Sequence, residues 1–458
     1  NVVTDTFNKA FKMGTILNKK GLIQTMNRLS WPGTMSHLRR INTLGDMIMI
    51  GQRKLHGTQF GMICCAETPD GGNIGIKKHL TMTAQVTFGC SPKPIIDLLD
   101  DLDLVPLEYV NPEYIFNKVK VFVNGKWVGV HNEPNKLYSD LLNYKRNSLI
   151  NIYTSIVFDY QNFEIRILTD GGRLCRPMAI VDNNKPLVTD KIINDAKNDK
   201  LTWDNLIGGS MNKNFNKYSC EYIKTKNSNE ELLKTRSVIE YLDVDEFNSI
   251  MLANNIKDLA NQDYNYTHME LHPSLILGAL GFTLPYCNSS PHPRNVYGTG
   301  QTKQSVGIFA LNFRNRMDGS ANVLSYPQKP LVSSKLSDYV FSNQLPTGMN
   351  AIVAIGCYSG YNQEDSIIIN QSAIERGLFN GFTFKSFETH EMFDSKNSVE
   401  HIIGKIPDDS KVKKELNYNN LNEDGVVTEG SFVNGNDVLI GKYIQNDEEE
   451  VFDDCVSL

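Results

Sequence analysis

Gly360-Tyr361-Asn362-Gln363-Glu364-Asp365-Ser366, running at once into Ile367-Ile368-Ile369-Asn370, is the stretch around which the rest of the chain is organised. Two adjacent acids sit between a glycine-led polar approach and a short apolar run. In front of it, residues 349–355 are rich in branched side chains and predict a strand. Behind it, Ser372-Ala373-Ile374-Glu375 is a Ser-x-x-Glu capping box that predicts a helix start, with Gly377 as its stop. Together these signals predict a loop held between two buried segments at the mouth of a sheet. In an extended loop, neighbouring side chains point to opposite sides. One acid would then reach a metal while the other takes a different role. A solvated acidic turn fits the same residues equally well.

The chain has 458 residues, 40% hydrophobic and 21% charged, which fits an ordinary globular protein of about three domains. It opens at Asn1, so a fragment of something longer is the expectation. The longest nearly apolar run, residues 351–361, is too short to span a bilayer, and no secretory signal opens the chain. Eight scattered cysteines contain no Cys-x-x-Cys pair, which predicts neither a zinc site nor a disulfide scaffold and favours a reducing compartment. The last four residues, Cys455-Val456-Ser457-Leu458, have the spacing of a prenylation box, an accident of the cut if the chain is truncated.

A net charge of −6 argues against indiscriminate coating of nucleic acid, but the charge is segregated. Residues 1–60 hold nine Lys or Arg against two acids, and the tail 447–454 carries six acids. Arg39 and Arg40 lie in the basic part, where guanidinium groups match phosphate oxygens in pairs; a solvated basic face fits them as well.

Taken in order, residues 1–30 read as helical, and Trp31-Pro32-Gly33 as the end of that region. Residues 42–52 read as a glycine-punctuated loop. Glu67-Thr68-Pro69-Asp70-Gly71-Gly72-Asn73-Ile74-Gly75 marks a tight backbone path that something approaches closely. Asn124-Gly125 is a hairpin turn between strands, and Asp170-Gly171-Gly172-Arg173 marks a second turn. Residues 194–200 read as a polar connector, 212–229 as an insertion-tolerant loop and 237–242 as a strand. His268, Glu270 and His272 alternate, which puts them on one face of a strand; structural hydrogen bonding is the better reading than a metal site. An apolar helix-like run follows at 275–280. From Pro291 to Gly307, basic, aromatic and amide side chains alternate with glycines, a mixture that suits nucleic-acid phosphates and sugars. Arg314, Arg316 and Tyr326-Pro327-Gln328-Lys329-Pro330 extend it.

Five blocks in order resemble one family, the second-largest subunit of multisubunit DNA-directed RNA polymerases, nearer to the eukaryotic polymerase II form than to bacterial β. They are Ser36-His37-Leu38-Arg39-Arg40; Leu55-His56 through Glu67-Thr68-Pro69-Asp70-Gly71; Tyr266-Thr267-His268-Met269-Glu270-Leu271-His272-Pro273; Pro293-Arg294-Asn295 through Tyr326-Pro327-Gln328-Lys329-Pro330; and Gly360 to Ser366. The resemblance implies a catalytic-centre subunit that binds the RNA–DNA hybrid, the incoming nucleoside triphosphate and a second Mg2+ during nucleotidyl transfer. Asp365 would face that metal with Glu364 as its neighbour, and Arg294 would meet the triphosphate. Arg39, Arg40, Glu67, Asn73, Tyr297, Lys303 and Gln304 would serve substrate or nucleic acid. Residues 42–52 fall where the family has its fork loop, here shorter and less basic.

The same resemblance implies what is missing. The primary metal would be held by the largest subunit, and the zinc-binding region and downstream lysines would lie on the remaining parts of the second-largest subunit. The implied partners are those parts, the largest and other polymerase subunits, template DNA, nascent RNA and nucleoside triphosphates, with no membrane. The chain would be inactive alone, in the nucleus or cytoplasm, or in a viral factory or virion. Its Asn/Lys/Ile bias fits a divergent viral or parasite polymerase. The expected fold is α+β and multidomain, with mixed sheets and helices: a fork-like region at 1–90, external domains at 91–199 and 200–262, a hybrid-binding part at 263–383 and a wall-like segment at 384–458. A non-catalytic nucleic-acid-binding paralogue is the alternative. A hydrolase acid/base pair at Glu364 and Asp365 suits adjacent residues poorly, since two such carboxyls must flank one bond.

Overall fold

The computed structural model describes residues 2–16, 19–21, 23–42, 50–209, 228–261, 263–340, 342–394, 399–406, 416–446, 451–453 and 455–457. The expected fork loop falls mostly outside these residues, as do nearly all of the 212–229 loop and most of the acidic tail. The fold is mixed α+β, with helices and several separate sheets. Among the described residues no helix is long and apolar enough to cross a membrane. The chain divides into two compact units, one of residues 1–309 and 326–379, the other of 310–325 and 380–458.

In the first unit α1 spans Val2–Met13, so the helical expectation for residues 1–30 holds only for its first half. Trp31-Pro32-Gly33 opens a helix rather than closing one. In α2 (Trp31–Leu38), Ser30 is the N-cap: its Oγ accepts from Gly33 N at 3.1 Å, and Pro32 sits in the first turn, where its missing N–H costs nothing. Arg39 caps the other end and leads into β1 (Arg40–Ile41), which pairs antiparallel with β2 (Lys78–His79).

The main core lies under a five-stranded sheet. Helices α3 (Lys93–Asp101) and α4 (Pro134–Arg146) bury Ile95 and Leu99, and Leu137, Leu141 and Tyr144, at i, i+4 and i+7 spacing. They pack on β3 (Val119–Val123), β4 (Lys126–His131), β5 (Ser155–Asp159) and β6 (Glu164–Leu168). Val119, Val121 and Val123 alternate inward, so β3 turns one side to this core. Asn124-Gly125 makes the expected two-residue hairpin between β3 and β4; both residues have positive φ, as a turn matching strand twist requires. β3 also pairs in parallel with β6, which pairs antiparallel with β5.

A second sheet is built on β7 (Leu174–Asp182), which pairs with β8 (Ile239–Asp243) and β9 (His268–Met269). The strand expected at 237–242 is β8. The connector expected at 194–200 is mostly helical, because α5 runs Asp190–Lys197. The apolar run at 275–280 is not an α-helix; its first two residues end the 3-10 turn Pro273–Ile276, and a second such turn, Gly281–Thr283, follows it. Buried charges link helix and sheet. Lys145 Nζ lies 2.7 Å from Glu246 Oε1 and 3.3 Å from Glu240 Oε1, and Arg146 Nε donates to Glu240 Oε2 at 2.8 Å. Burial alone would raise the Glu240 pKa, but Arg146 and Lys145 outweigh it and hold the carboxyl well below its ordinary value.

Later in this unit come α6 (His292–Thr302) and α7 (Gln371–Glu375). The cap of α7 is Asn370, two residues before the expected Ser372; its side chain accepts from Ala373 N, and Gly377 at φ +103° follows the end as expected. In the second unit β10 (Ser320–Leu324) pairs antiparallel with β11 (Gly381–Lys385), and a four-stranded antiparallel sheet holds Met392–Asp394, Val399–Ile403, Lys442–Asn446 and Val451–Asp453.

Residues 349–355 form no strand, and the apolar side chains flanking the acidic turn are not buried. Ile352 and Ile355 are fully exposed, and Ile367 nearly so. Branched apolar residues are enriched in strands, but a strand also needs a neighbouring edge to satisfy its backbone, and these residues meet none within the described chain.

Candidate functional site

The acidic stretch is a pair of tight turns rather than an extended loop. Tyr361 N donates to Tyr358 O at 3.0 Å, and Asn362 braces the first turn by donating from Nδ2 to Gly356 O at 2.7 Å. Ser366 N then donates to Gln363 O at 3.1 Å, placing Glu364 and Asp365 at the two central positions of the second turn. Glu364 takes φ +54°, a left-handed conformation that a residue with a long side chain adopts at a cost of about 1–3 kcal/mol. Both carboxylates are exposed. The approach is fixed from the Tyr326-to-Pro330 turn: Asn350 N donates to Gln328 Oε1 at 2.9 Å, and Asn350 Nδ2 to Lys329 O at 2.8 Å.

Arg294 stands exposed in the first turn of α6, its guanidinium 5.4 Å from the Tyr297 ring, a cation–π contact one helical turn along. Gln304 is exposed just past the other end of the helix. Lys303 between them is turned inward, its Nζ 3.2 Å from Glu67 Oε1.

Glu67 is the hub of this region and is only 3% exposed. Besides Lys303, its Oε1 accepts from Ser36 Oγ at 2.7 Å and lies 3.5 Å from His79 Nε2. Burial pushes the His79 pKa down to about 4, against the pull of the Glu67 charge. Arg40 Nε reaches His79 Nε2 at 3.3 Å. Ser30 Oγ donates to Lys303 O at 2.7 Å, so the cap of α2 also holds the end of α6. Arg39 is engaged by the protein itself: its Nη2 donates to the carbonyls of Thr81, Met82 and Ala84 at 2.6, 3.2 and 3.0 Å. Asn73 is exposed in the 3-10 turn Gly71–Asn73. The tight path around it is set by Gly75 at φ +76°, where a Cβ would lie 2.5 Å from Arg53 O.

The structure therefore joins Glu67, Lys303 and Arg40 through His79, and Arg294 with Tyr297. Among the described residues no hydrogen bond or ion pair joins Glu364 or Asp365 to Arg294, Lys303 or Glu67. Sequence reading missed three residues. His79 is one; Lys77 and Lys78 are the others, Lys78 lying opposite Ile41 in the strand pair, and the Arg40 and Lys77 charges add to burial in lowering the His37 pKa. The Lys77-Lys78 doublet was the available signal. The His268–Glu270–His272 alternation is structural: His268 lies 3.4 Å from Glu240, Glu270 pairs with the buried Arg176, and His272 caps a 3-10 turn.

The two carboxylates of the turn suit a hard cation, which takes oxygen ligands, but they supply at most part of a coordination shell. Among the described residues no group of three or more His, Cys, Asp or Glu side chains could hold a metal ion. A weakly held ion completed from elsewhere fits this donor set; a resident, fully enclosed one does not.

Four family models match successive parts of the chain: RNA polymerase Rpb2 domain 3 at residues 24–86, domain 4 at 121–182, domain 5 at 230–273 and domain 6 at 281–456. The chain is 38% identical over 458 residues to DNA-directed RNA polymerase II subunit RPB2 of Encephalitozoon cuniculi, covering 96% of this chain and 38% of that protein. It is 37% identical to the same subunit of Schizosaccharomyces pombe, over 95% of this chain and 38% of that protein. It is 32% identical to DNA-directed RNA polymerase subunit Rpo2 of Sulfolobus acidocaldarius, over 96% and 38%. The chain thus spans a little over a third of the length of these relatives, with higher identity to the polymerase II forms. Four domains of one subunit, matched in their own order, leave one conclusion: the chain belongs to the family of the second-largest subunit of DNA-directed RNA polymerases.

Proposed function

We propose that this chain supplies part of the catalytic centre of a DNA-directed RNA polymerase, acting within a multisubunit complex and inactive by itself. The observation that carries the reading is exposed charge held on a fixed backbone. Arg294 projects from a helix whose far end is fixed by the buried Glu67–Lys303 pair, and Glu364 and Asp365 project from a hydrogen-bonded turn that directly follows a braced one. Preorganised charge of this kind stabilises a transition state without reorganising during the reaction.

Arg294 is assigned to the incoming triphosphate, where its forked donors match phosphate oxygens and offset charge growing on the leaving pyrophosphate. Asp365 is assigned to the second, nucleotide-associated Mg2+, with Glu364 shaping the turn. When bound, such an ion neutralises the triphosphate and orients its oxygens. Tyr297, Gln304, Arg40, Asn73, Lys77 and Lys78 offer stacking, amide and cationic groups to the nucleic acid. Lys303, Glu67 and Arg39 support that surface from within.

The exposed Ile352, Ile355 and Ile367 beside the acidic turn are assigned as the seat for the remaining parts of the same subunit, with the primary metal brought by the largest subunit. An intracellular site, the nucleus or a cytoplasmic viral factory, follows from this reading. A non-catalytic paralogue is not favoured, since the relatives named above are all polymerase subunits.

The test is Asp365→Ala in the assembled polymerase, read as single-nucleotide addition across a magnesium titration. Addition should fall and demand more magnesium while template binding persists. Wild-type addition at limiting magnesium would overturn the assignment.

A further inference from the structure

Three asparagine–glycine steps occur in the chain, at residues 124–125, 380–381 and 434–435. Glycine leaves its main-chain nitrogen open to attack on the preceding side-chain amide, and the fold treats the three steps differently. At Asn124 the amide is held at both ends: Nδ2 donates to Thr169 Oγ1 at 2.8 Å, and Oδ1 accepts from Thr169 N at 2.7 Å. At Asn380 the side chain is exposed, but the main chain is held in a strand pair. Ser325 N donates to Asn380 O at 2.9 Å, Gly381 stands opposite Leu324, and a Cβ on Gly381 would lie 2.8 Å from Val323 O. At Asn434 neither hold exists. This residue opens a β-turn with Gly435 and Asn436 at the central positions, closed by Asp437 N donating to Asn434 O at 2.9 Å. The N–H of the second residue takes no part in that closing bond, so the Gly435 nitrogen stays open. Among the described residues no hydrogen bond reaches the Asn434 side chain. Asn434 and Gly435 are both exposed, and a Cβ on Gly435 would meet nothing within 4 Å. Beneath the turn, Asp437 is 4% exposed; its Oδ2 accepts from Asn434 N at 2.7 Å and its Oδ1 from Asn417 Nδ2 at 2.8 Å. The strand Val438–Ile440 follows directly.

We propose that Asn434-Gly435 is a site of spontaneous modification, where deamidation turns a neutral turn residue into isoaspartate or aspartate above the buried Asp437. The Gly435 main-chain nitrogen, having given up its proton, attacks Asn434 Cγ. The new N–Cγ bond closes a succinimide ring, and the Cγ–Nδ2 bond breaks as Nδ2 takes up a proton and leaves as ammonia. Water then opens the ring. Addition at the main-chain carbonyl breaks its bond to the Gly435 nitrogen and leaves isoaspartate; addition at Cγ leaves aspartate. One water enters, one ammonia leaves, and nothing is oxidised. The isoaspartyl product carries the chain through Cγ and adds one atom to the main chain within the turn. Either product puts a new negative charge on the residue whose N–H the Asp437 carboxylate holds, where like charges repel. The chemistry needs only water and is independent of the roles assigned to Arg294 and Asp365.

The test is peptide mapping of the full chain after incubation at mildly alkaline pH, once folded and once in denaturant, with electron-transfer fragmentation to tell isoaspartate from aspartate. In denaturant the three steps should convert at similar rates, because each has glycine after the asparagine. In the folded chain Asn434 should convert first. Two hydrogen bonds must break before the Asn124 amide can close, which should slow it roughly thirtyfold relative to Asn434. Gly435→Ala, whose Cβ meets open space, should slow Asn434 about tenfold by crowding the attacking nitrogen. Thr169→Val removes one of the Asn124 hydrogen bonds and should speed that site alone roughly fivefold. Folded-state conversion led by Asn124 or Asn380 would overturn the proposal, as would an intact Asn434 under conditions where the denatured chain converts. The same ranking with and without denaturant would do so too. The parent-chain maps decide this even where a variant folds poorly.

Discussion

The Lys303 ammonium lies 3.2 Å from the Glu67 carboxylate, joining residues 236 positions apart in a setting where the acid is almost wholly buried. Ser36 and His79 share the same carboxylate oxygen. Removing one partner of such a pair leaves an uncompensated charge, which costs more than the pair contributes while intact. Glu67→Gln keeps the shape and removes the charge, and is expected to destabilise the fold by about 3 kcal/mol. Urea unfolding checks it. A midpoint equal to that of the parent chain would show that Lys303 finds solvent at no cost.

His79 predicts a pH dependence with a definite sign. Its folded pKa is about 4, below the ordinary value of 6.5, so the unfolded chain takes up a proton first as pH falls. The stability it contributes is therefore complete above pH 6.5 and lost as pH falls toward 4. The full difference is about 3 kcal/mol, with roughly 2 kcal/mol gone near pH 5. Burial lowers the His268 pKa as well, so the measurement is the difference between the parent chain and His79→Asn. That difference should shrink steadily on acidification, and a constant one would remove His79 as the cause.

Arg294 and Tyr297 give a prediction about nucleotide addition. The ring sits 5.4 Å from the guanidinium and orients it while both remain exposed. Tyr297→Phe keeps the aromatic face and should leave single-nucleotide addition nearly unchanged. Tyr297→Ala should slow it roughly fivefold, the equivalent of one exposed cation–π contact. Arg294→Ala removes the charge itself and should cost about 10²–10³-fold in addition rate. Equal effects of Phe and Ala at position 297 would assign the tyrosine a role through its hydroxyl instead.

How far the sequence carried depended on the range of the interaction being read. Asn124-Gly125 was legible because a two-residue turn with positive φ is decided by the turn residues themselves. Gly377 was legible as a helix stop for the same reason. Trp31-Pro32-Gly33 was misread because proline was weighed as a terminator, although Ser30 before it and Pro32 in the first turn are together a start signal. Residues 349–355 show a different failure. Their branched side chains do report surface that water disfavours, but no strand edge or core among the described residues covers it. The acidic pair was found from its motif, whereas its tight-turn geometry was not, because Glu364 adopts a conformation its residue type disfavours. Glu67 was picked out by the family pattern, but its role as a hub was invisible. Ser36, His79 and Lys303 converge on it only through the fold, and no local spacing links them.

Gly61 and Gly125 separate backbone strain from steric exclusion. Both have positive φ, at +68° and +80°. A Cβ on Gly125 would meet nothing within 4 Å, whereas one on Gly61 would lie 2.2 Å from the Arg176 guanidinium. Arg176 cannot easily retreat. It is 1% exposed, paired with Glu270, and set 5.8 and 5.2 Å from the rings of Phe60 and Phe247. Gly125→Ala should therefore cost only the left-handed conformation, about 1 kcal/mol. Gly61→Ala adds the displacement of a packed, paired side chain and should cost roughly 3 kcal/mol or more. Unfolding midpoints of the two variants measured side by side check this. Equal losses would mean that Arg176 swings clear without giving up Glu270, and that the glycine at 61 answers only to the backbone.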